Sequence, residues 1–448
     1  MQWSRYNLMF KSKNNGWLLY NSCSNSFVQM DENTAQAAKQ VSKNPNMDFS
    51  DRPDLFFRLR IGGFLVDDDG DDTFIRIIKM RRLISNYTGD KLSLAIAPTK
   101  ECNFACTYCF EKNKSPSRMT DETADKLIKF VEKHSGANKL IVTWYGGEPL
   151  LEFTRIKDIS KKMGALAKSY SAEVITNGYC LSPDIIAFLD KMNIKHIQIT
   201  IDGSKETHDS RRYLVGGGKT YDKILENMDN LMHSAWKGRL SLRVNVDASN
   251  SGEFANVYGF IKNRYPKRPD SSLFIYPGFV TNEAGCQFNS DDKGRFLADL
   301  AQSHDIVAVP VFPATALEGC ALTKRNAYVV GSDGELYKCW MDVGEKREVV
   351  GNIDGLTNWN TSLLAEGMVG ASYLEDDKCI KCFYFPVCDG GCPKIRMRNN
   401  RDGKNRDTCT YFKKHASALL EIHYEQQTRC KNNNKEGDAA QCNGPDII

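Results

Sequence analysis

Six short apolar runs alternate with stretches of helical periodicity between residues 92 and 278. The runs are LSLAIA (92–97), LIVTWY (140–145), AEVITN (172–177), HIQITI (196–201), SLRVNV (241–246) and LFIYPG (273–278). Nearly continuous apolar strands separated by helices are typical of a parallel sheet that is covered by helices. Six units are too few for a closed eight-stranded barrel, so the pattern predicts an α/β fold with an open, partial (β/α)6 barrel. The first helix, at 120–136, should be capped by Thr120 and stopped by Gly136.

The first 88 residues follow a different pattern, in which strands precede helices. YNLMF, WLLY and SFVQM are short apolar runs, and KNNG between the first two is a turn signal. Helical periodicity follows at 32–43, 51–63 and 73–86. This order predicts a small α+β domain at residues 1–88, ahead of the barrel domain at 89–310.

Beyond residue 310 the chain is rich in cysteine and shows little regular periodicity. We expect a cysteine-rich domain at 311–425 and a polar, disordered tail at 426–448, which ends KNNNKEGDAAQCNGPDII. No internal repeat is evident.

The composition of the chain indicates its cellular compartment and the classes of partner that it is expected to bind. The net charge of +4 is small for 448 residues, and no Lys/Arg block stands out, which argues against a nucleic-acid-binding protein. The start, MQWSRYNLMFKSKNNG, lacks the apolar core of a signal peptide, and no apolar run approaches the roughly 20 residues of a membrane helix. We therefore expect a cytoplasmic protein without a membrane partner. Thiols stay reduced there, so the 15 cysteines are expected to be metal or cluster ligands rather than disulfides.

Three cysteines lie close together in ECNFACTYCFE, directly after the first barrel strand. Cys102, Cys106 and Cys109 have the spacing C-x3-C-x2-C. Three thiolates on one loop can hold three irons of a [4Fe–4S] cluster and leave the fourth iron open to a small ligand. Zinc is the alternative, but tetrahedral zinc sites usually recruit pairs of ligands from two separate places.

This spacing after a first strand resembles the radical S-adenosylmethionine (SAM) superfamily. The resemblance implies that the three cysteines are catalytic, that the open iron binds SAM, and that SAM cleavage gives a 5′-deoxyadenosyl radical. It also implies that Tyr108, beside the last cysteine, packs near the adenine. YGGEP (145–149) resembles the family motif that holds the SAM amino group, a role we carry over to Glu148 and to Gly146 and Gly147.

Two further strand ends offer candidate site residues. TIDG (200–203) is similar to the S-x-D-G of close relatives, with Thr200 in place of Ser. The resemblance implies that the Thr200 hydroxyl binds the ribose or carboxylate of SAM, and that Asp202 faces the cavity in a catalytic role. A loop-capping acid is an equally good interpretation of Asp202. Arg243 and Asn245 on the fifth strand could point into the barrel, Asn245 towards the cofactor, although many such polar residues are simply satisfied in place.

A second cysteine set lies near the carboxyl end: Cys320, Cys339, Cys379, Cys382, Cys388, Cys392 and Cys409. From the residues alone, two zinc sites could also explain it. The pattern resembles the seven-cysteine SPASM domain of radical SAM enzymes that modify peptides and proteins. The resemblance implies two auxiliary Fe–S clusters, expected to be [4Fe–4S]. The ligands of the first would be Cys320, Cys339 and Cys392, and those of the second Cys379, Cys382, Cys388 and Cys409.

The chain departs from its relatives at two positions. Some relatives supply a fourth cysteine to the first auxiliary cluster where this chain has Asn326. Sulfatase-maturing relatives carry an Asp, used as a base, directly after the cysteine that corresponds to Cys339. This chain has Trp340 there, and the nearest acid is Asp342.

The order of strands and helices in residues 1–88 resembles the winged-helix-type peptide-recognition domain of ribosomal-peptide maturation systems. That domain binds a leader peptide as an added strand. A lid or a dimerisation segment is the alternative. The whole chain is thus identified as a radical SAM/SPASM peptide maturase, with a leader-bearing precursor peptide and a flavodoxin- or ferredoxin-like electron donor as partners. A carbon–carbon cross-link such as a cyclophane is the first expectation and a thioether the second. The alternatives are formylglycine formation on a protein Ser or Cys, and a non-catalytic zinc-binding interaction protein.

Overall fold

The structure is a computed structural model that describes residues 1–111, 115–134, 136–266, 272–280, 288–315, 319–356 and 358–434. Within these ranges, every helix is too short or too polar to cross a membrane.

The amino-terminal segment forms a three-stranded antiparallel sheet followed by helices. Its elements are β1 Gln2–Trp3, β2 Asn7–Lys11, β3 Trp17–Asn21, β4 Ser26–Met30, α1 Glu32–Lys43, α2 Pro53–Ile61, β5 Leu65–Val66 and α3 Gly70–Tyr87. The sheet order is β2-β3-β4, while β1 pairs with the short β5. The predicted three strands and three helices are confirmed, and their apolar faces meet in a core that includes Leu19, Ala38 and Leu59.

Within the described residues the central sheet has nine strands, of which the first six run parallel in chain order, as the apolar runs predict. Its strands are β6 Lys91–Ile96, β7 Lys139–Trp144, β8 Ser169–Thr176, β9 Ile194–Ile201, β10 Arg239–Val246, β11 Leu273–Phe279, β12 Ala327–Val330, β13 Glu335–Tyr337 and β14 Gly351–Asn352. The order is β11-β10-β9-β8-β7-β6-β12-β13-β14. The last three strands were not predicted. β12 runs parallel to β6, and β13 and β14 add antiparallel hairpin strands.

Helices connect the parallel strands. They are α4 Asp121–Lys133, α5 Phe153–Leu166, α6 Pro183–Ile186, α7 Lys205–Arg211, α8 Tyr221–His233, α9 Phe254–Arg264 and, after β11, α10 Ser290–His304. Thr120 caps α4 as predicted, because its side chain accepts a hydrogen bond from the Thr123 amide. The helix ends at Lys133, before the predicted stop at Gly136, and His134 occupies the C-cap.

The cysteine-rich part holds short helices and turns. Its helices are α11 Thr361–Ala365, α12 Asp377–Ile380, α13 Pro393–Asp402, α14 Tyr411–Lys414 and α15 Ala416–Asn434. Because α15 continues to Asn434, residues 426–434 are helical, and the prediction of disorder from residue 426 onwards is wrong for that stretch. Residues 435–448 lie outside the described part of the chain.

Contacts divide the chain into two units. One comprises Met1–Asn86, Asn289–Gly319 and Ala371–Ile448, and the other comprises Tyr87–Phe288 and Cys320–Gly370. Cys320 and Cys339 therefore group with the barrel strands, whereas the other five cysteines of the second set lie in the unit that contains the amino-terminal segment. The predicted boundaries at residues 88, 310 and 425 remain a prediction.

Candidate functional site

The loop that carries Cys102, Cys106 and Cys109 follows β6 and is held by a second backbone segment. Its pairing bonds are Ala105 N to Tyr213 O (2.8 Å), Thr107 N to Arg211 O (3.1 Å) and Val215 N to Asn103 O (2.9 Å). The Cys102 sulfur accepts a hydrogen bond from the Phe104 amide at 3.4 Å, and the Cys109 sulfur accepts one from the Glu111 amide at 3.4 Å. The loop thus holds its sulfurs as hydrogen-bond acceptors.

The electrostatics of this loop fit a cluster. Burial, together with the charges of Glu148, Cys106 and Cys109, raises the pKa of Cys102 to about 12, although the hydrogen bond from the Phe104 amide lowers it. Burial also raises the pKa of Cys106, against the opposing effect of Arg212. Thiolates at these half-buried positions need added positive charge, which iron supplies. Among the described residues, no three His, Cys, Asp or Glu side chains are placed to hold one metal ion. Cluster ligation spaces sulfurs more widely than a single ion does.

Gly146 and Gly147 pack against the backbone that leads into the cysteine loop. A Cβ on Gly147 would lie 2.2 Å from the Glu101 carbonyl oxygen, and one on Gly146 would lie 2.4 Å from the Thr99 oxygen. Gly146 also has a φ of +128°, which L side chains rarely adopt. In the structure it is the backbone of residues 99–101 that approaches these glycines closely. Their contact with SAM stays a prediction.

Glu148 is fully buried where β7 leads into the next helix. Its carboxylate accepts hydrogen bonds from the Leu150 amide (3.0 Å), the Thr176 hydroxyl (2.7 Å) and the Asn177 amide (2.7 Å). Burial raises its pKa, while these hydrogen bonds lower it. A carboxylate offers about four lone-pair positions, so Glu148 retains acceptor capacity for an ammonium group. The side chain also ties the GGEP turn to the end of β8.

Tyr108 is the centre of a buried polar network. Its hydroxyl donates to Asp202 Oδ1 at 2.7 Å and accepts from Arg212 Nη1 and Asn245 Nδ2, each at 2.8 Å. Arg211 Nε donates to Asp202 Oδ2 at 2.8 Å, and its guanidinium lies 5.1 Å from the Tyr108 ring centroid. Asp202 is fully buried, so in this structure it orients Tyr108 and Arg211. Its predicted catalytic role remains a prediction.

Arg211, Arg212 and His208 are parts of this network that the sequence did not single out. The only local signal is the adjacent arginine pair after TIDG. Burial, with a smaller effect of the Arg212 charge, lowers the pKa of His208 to about 3, so the imidazole is neutral. Nδ1 accepts from the Asp202 amide (3.3 Å), which leaves Nε2 to donate to the Thr220 hydroxyl (3.0 Å). His208 therefore supports the backbone of Asp202.

Thr200 and Asn245 share the inner face of the sheet with this network. Thr200 is the register partner of Arg243 on β10, and within the described residues no hydrogen bond engages the Thr200 hydroxyl. Asn245 Oδ1 accepts from Arg243 Nε at 2.8 Å. Gly278 on β11 makes room for this pair, since a Cβ there would lie 2.1 Å from Arg243 Nε. The structure thus brings Asn245 to Tyr108, whereas the Thr200 hydroxyl stays available to a ligand.

Comparison with known proteins explains this arrangement. The model of the Radical SAM superfamily matches residues 96–261, which include the cysteine loop, GGEP and the Tyr108 network. These residues are a radical SAM domain. The chain is accordingly a radical SAM enzyme, and the domain holds a [4Fe–4S] cluster with SAM.

Similar proteins extend the match beyond this domain. The Cysteine-type anaerobic sulfatase-maturating enzyme of Clostridium perfringens is 25% identical over 68% of this chain and 90% of its own length. The Radical SAM cyclopropyl synthase TigE of Paramaledivibacter caminithermalis is 24% identical over 66% and 67%. Among solved structures, native anSMEcpe with bound AdoMet has a TM-score of 0.59 at 21% identity, covering 77% of this chain and 100% of that one. Streptococcus suis SuiB bound to S-adenosylmethionine has 0.52 at 14%, covering 91% and 99%.

A second group of polar side chains lies on the same inner face of the sheet, further from the strand ends that carry the cysteine loop. Thr143 donates to Glu173 Oε1 at 2.6 Å, and His196 bridges Glu173 Oε2 (2.9 Å) and the Ser241 hydroxyl (2.8 Å). Burial raises the pKa of Glu173, but the hydrogen bonds from His196 and Thr143 hold it below its usual range. Alternate residues of a strand share a face, so Glu173 and His196 face the same side as Thr200.

Four of the cysteines predicted for the second auxiliary cluster lie in one unit. Burial, together with the charges of Asp389, Cys379 and Cys382, raises the pKa of Cys388 to about 11. Burial lowers the pKa of Lys413, but Cys382 and Cys409 raise it above its usual value. Cys379 and Cys382 thus lie near enough to Cys388 to affect its pKa, and Cys382 and Cys409 both affect that of Lys413. Their ligation of a cluster stays a prediction.

Two arginines that the sequence did not single out support these cysteines. Arg396 donates to the Cys379 sulfur at 3.1 Å, to Asp376 Oδ2 at 2.9 Å and to the Gly390 carbonyl at 2.9 Å. Arg82, buried on α3, donates to the Cys388 carbonyl at 2.7 Å. Both cations lie in the same unit as the cysteines that they contact.

The cysteines predicted for the first auxiliary cluster are divided between the units. Cys320 and Cys339 lie with the barrel strands, and Cys392 lies in the other unit at the N-cap of α13. Trp340, directly after Cys339, packs on Tyr145 with ring centroids 5.0 Å apart. Asp342, two residues after Trp340 in the same short 3-10 helix, is buried. An aromatic contact therefore occupies the place where sulfatase-maturing relatives carry an acid.

Proposed function

We propose that this radical SAM enzyme is a peptide maturase. It abstracts a side-chain hydrogen from a ribosomally made precursor peptide and installs an intramolecular cross-link, carbon–carbon in first place and thioether in second. The observation that carries the proposal is Trp340, which packs on Tyr145 directly after Cys339 and leaves no acid at that position.

The amino-terminal segment supports a peptide substrate. SuiB structures cover 91% of this chain, against 77% for anSMEcpe, and one SuiB structure is bound to precursor peptide SuiA. The β2-β3-β4 sheet has two edges, β2 and β4, and an extended leader segment can add a strand to such an edge. Main-chain hydrogen bonds would then supply affinity for the leader segment.

The chain's own residues prepare the reaction. The cysteine loop and Glu148 hold the cluster and SAM, which supply the 5′-deoxyadenosyl radical when bound. The network of Asp202, Arg211 and Arg212 fixes Tyr108, which would pack near the adenine of bound SAM, and the inner face with Glu173 would line the substrate side. Each cross-link removes two hydrogens from the peptide, one as an atom and one as a proton plus an electron. The second cysteine set would hold auxiliary Fe–S clusters able to take up that electron, and a flavodoxin- or ferredoxin-like protein would supply the reducing electron.

Formylglycine formation on a protein Ser or Cys is the second candidate. Its support is the sulfatase-maturating relatives, of both cysteine and serine type. It would require a base other than an acid beside Cys339, for which the buried Asp342 is the nearest carboxylate in sequence. It predicts a large folded client and no leader segment.

Mass spectrometry of peptides that co-purify anaerobically with the chain tests the proposal. Wild type should yield a peptide lighter by two hydrogens per cross-link, and fragmentation should place the new bond. Cys106→Ala should abolish SAM cleavage while the auxiliary clusters still assemble, because Cys106 lies outside their predicted ligand sets. Cys430→Ala, in α15 and outside all three sets, is the control and should behave as wild type. An unmodified peptide from the active wild-type enzyme, together with formylglycine on a folded client, would reject the cross-link proposal.

A further inference from the structure

Lys338 is a buried cation at the end of β13, directly before Cys339. Its side chain is only 6% exposed. Nζ donates to the Ala327 carbonyl at 2.7 Å, to the Arg325 carbonyl at 3.4 Å and, by a shorter contact, to the Lys324 carbonyl. It also lies 4.5 Å from the Tyr328 ring centroid. The side chain meets three carbonyl acceptors and an aromatic face, although burial still lowers the pKa of Lys338 to about 7.

The clamped carbonyls belong to the segment that begins at Cys320. There the Thr323 amide and hydroxyl both donate to the Cys320 carbonyl at 3.1 Å, which forms a tight turn. Asn326 lies between the clamped carbonyls of residues 325 and 327, and its own carbonyl accepts from the Ser93 amide of β6 at 2.9 Å. The cysteine turn is thus tied on one side to Lys338 and on the other to the parallel sheet.

Asn326 is the position where some relatives carry a fourth cysteine for the first auxiliary cluster. A cysteine ligand would tie this segment to the cluster, whereas here the protein ties it to the residue before Cys339. The clamp therefore ties the Cys320 segment to the residue directly before Cys339.

We propose that Lys338 is a positioning residue for the first auxiliary cluster, which anchors the Cys320 segment in place of the missing fourth cysteine. The inference rests on the auxiliary clusters of the proposed function. It goes beyond them because it states that contacts within the protein, rather than iron binding, hold the Cys320 segment in place. Cys320 and Cys339 are therefore positioned before iron binds.

Lys338→Met tests this in the full-length chain, with Lys346→Met, an exposed lysine of the same unit, as the control. Hydrogen exchange is measured by mass spectrometry before anaerobic reconstitution. Amides of residues 320–327 should exchange about tenfold faster in Lys338→Met, because the clamp is lost. After reconstitution, that variant should hold about four fewer irons per chain.

A second variant separates positioning from general destabilisation. Adding Asn326→Cys to Lys338→Met should restore iron to the wild-type level, because a fourth sulfur replaces the lost anchor. Unchanged exchange at 320–327, or an equal effect of Lys346→Met, would overturn the proposal, as would failure of Asn326→Cys to restore iron. If wild type itself holds iron for only one cluster, the cluster assignment fails, and the exchange comparison alone decides whether Lys338 anchors the segment.

Discussion

Gly147→Ala is the sharpest test of how the cysteine loop is positioned. A Cβ at Gly147 would lie 2.2 Å from Glu101 O, 2.5 Å from Glu101 C and 2.7 Å from Lys100 O, all backbone atoms directly before Cys102. Carbon atoms need about 3.5 Å, so the loop must move by roughly 1 Å. Overpacking of this kind costs about 1–3 kcal/mol, and a displacement of ~1 Å at a reacting centre can cost about 100-fold in rate. Gly147 is not among the positive-φ glycines, so the effect is steric.

The assay is anaerobic formation of 5′-deoxyadenosine from SAM, with iron content and urea unfolding measured on the same samples. Gly147→Ala should lose about 100-fold in SAM cleavage and about 1–3 kcal/mol in the free energy of unfolding, while the auxiliary clusters persist. Gly164→Ala, in α5, is the matched control, because a Cβ there meets only Tyr170 Cδ1 of β8 at 3.6 Å, an ordinary contact. It should be neutral or stabilising by up to about 1 kcal/mol. SAM cleavage by Gly147→Ala within threefold of wild type would show that the loop is not held by this contact.

Three further changes address the networks around the sulfurs. Tyr108→Phe removes one acceptor and one donor from a buried network, and should weaken SAM binding, measured by equilibrium dialysis, and cost about 1–3 kcal/mol in unfolding free energy. His208 has a pKa of about 3 when folded, below its unfolded value, so folding stability is complete above about pH 6.5 and falls as pH drops towards 3. His208→Asn should flatten that slope in urea titrations between pH 7 and 5. Arg396→Met removes the donor to the Cys379 sulfur, so iron analysis should show loss of the second auxiliary cluster, and full retention would contradict that role.

The sequence predicted the parallel sheet because its strands are buried on both faces. Such strands read as continuous apolar runs, so β6 to β11 could be placed within a few residues. The cysteine loop was equally predictable, since three ligands on one loop must be close in sequence. Residues at strand ends, including Glu148 and Asp202, could be assigned to one edge because parallel strands end together.

The contacts that fix these residues were not predictable, because they join positions far apart in the chain. Arg212 meets Tyr108 across 104 positions and Arg82 meets Cys388 across 306. A single arginine or lysine in a sequence gives the same local signal whether it is buried in a pair or exposed to solvent. Strands β12 to β14 were missed for another reason, since strands of two to four residues carry too little periodicity to detect.

Two of the arginines that the sequence did not single out lie beside cysteines that are predicted to hold clusters. Arg212 opposes the burial that raises the pKa of Cys106, and Arg396 donates to the Cys379 sulfur. Thiolate-ligated clusters carry net negative charge, and a nearby buried cation lowers the free energy of that charge most where solvent is least able to do so. Each arginine therefore favours deprotonated sulfur at its site. A neutral thiol would gain nothing from such a neighbour, so the two arginines support the proposal that both sites hold thiolate-bound clusters.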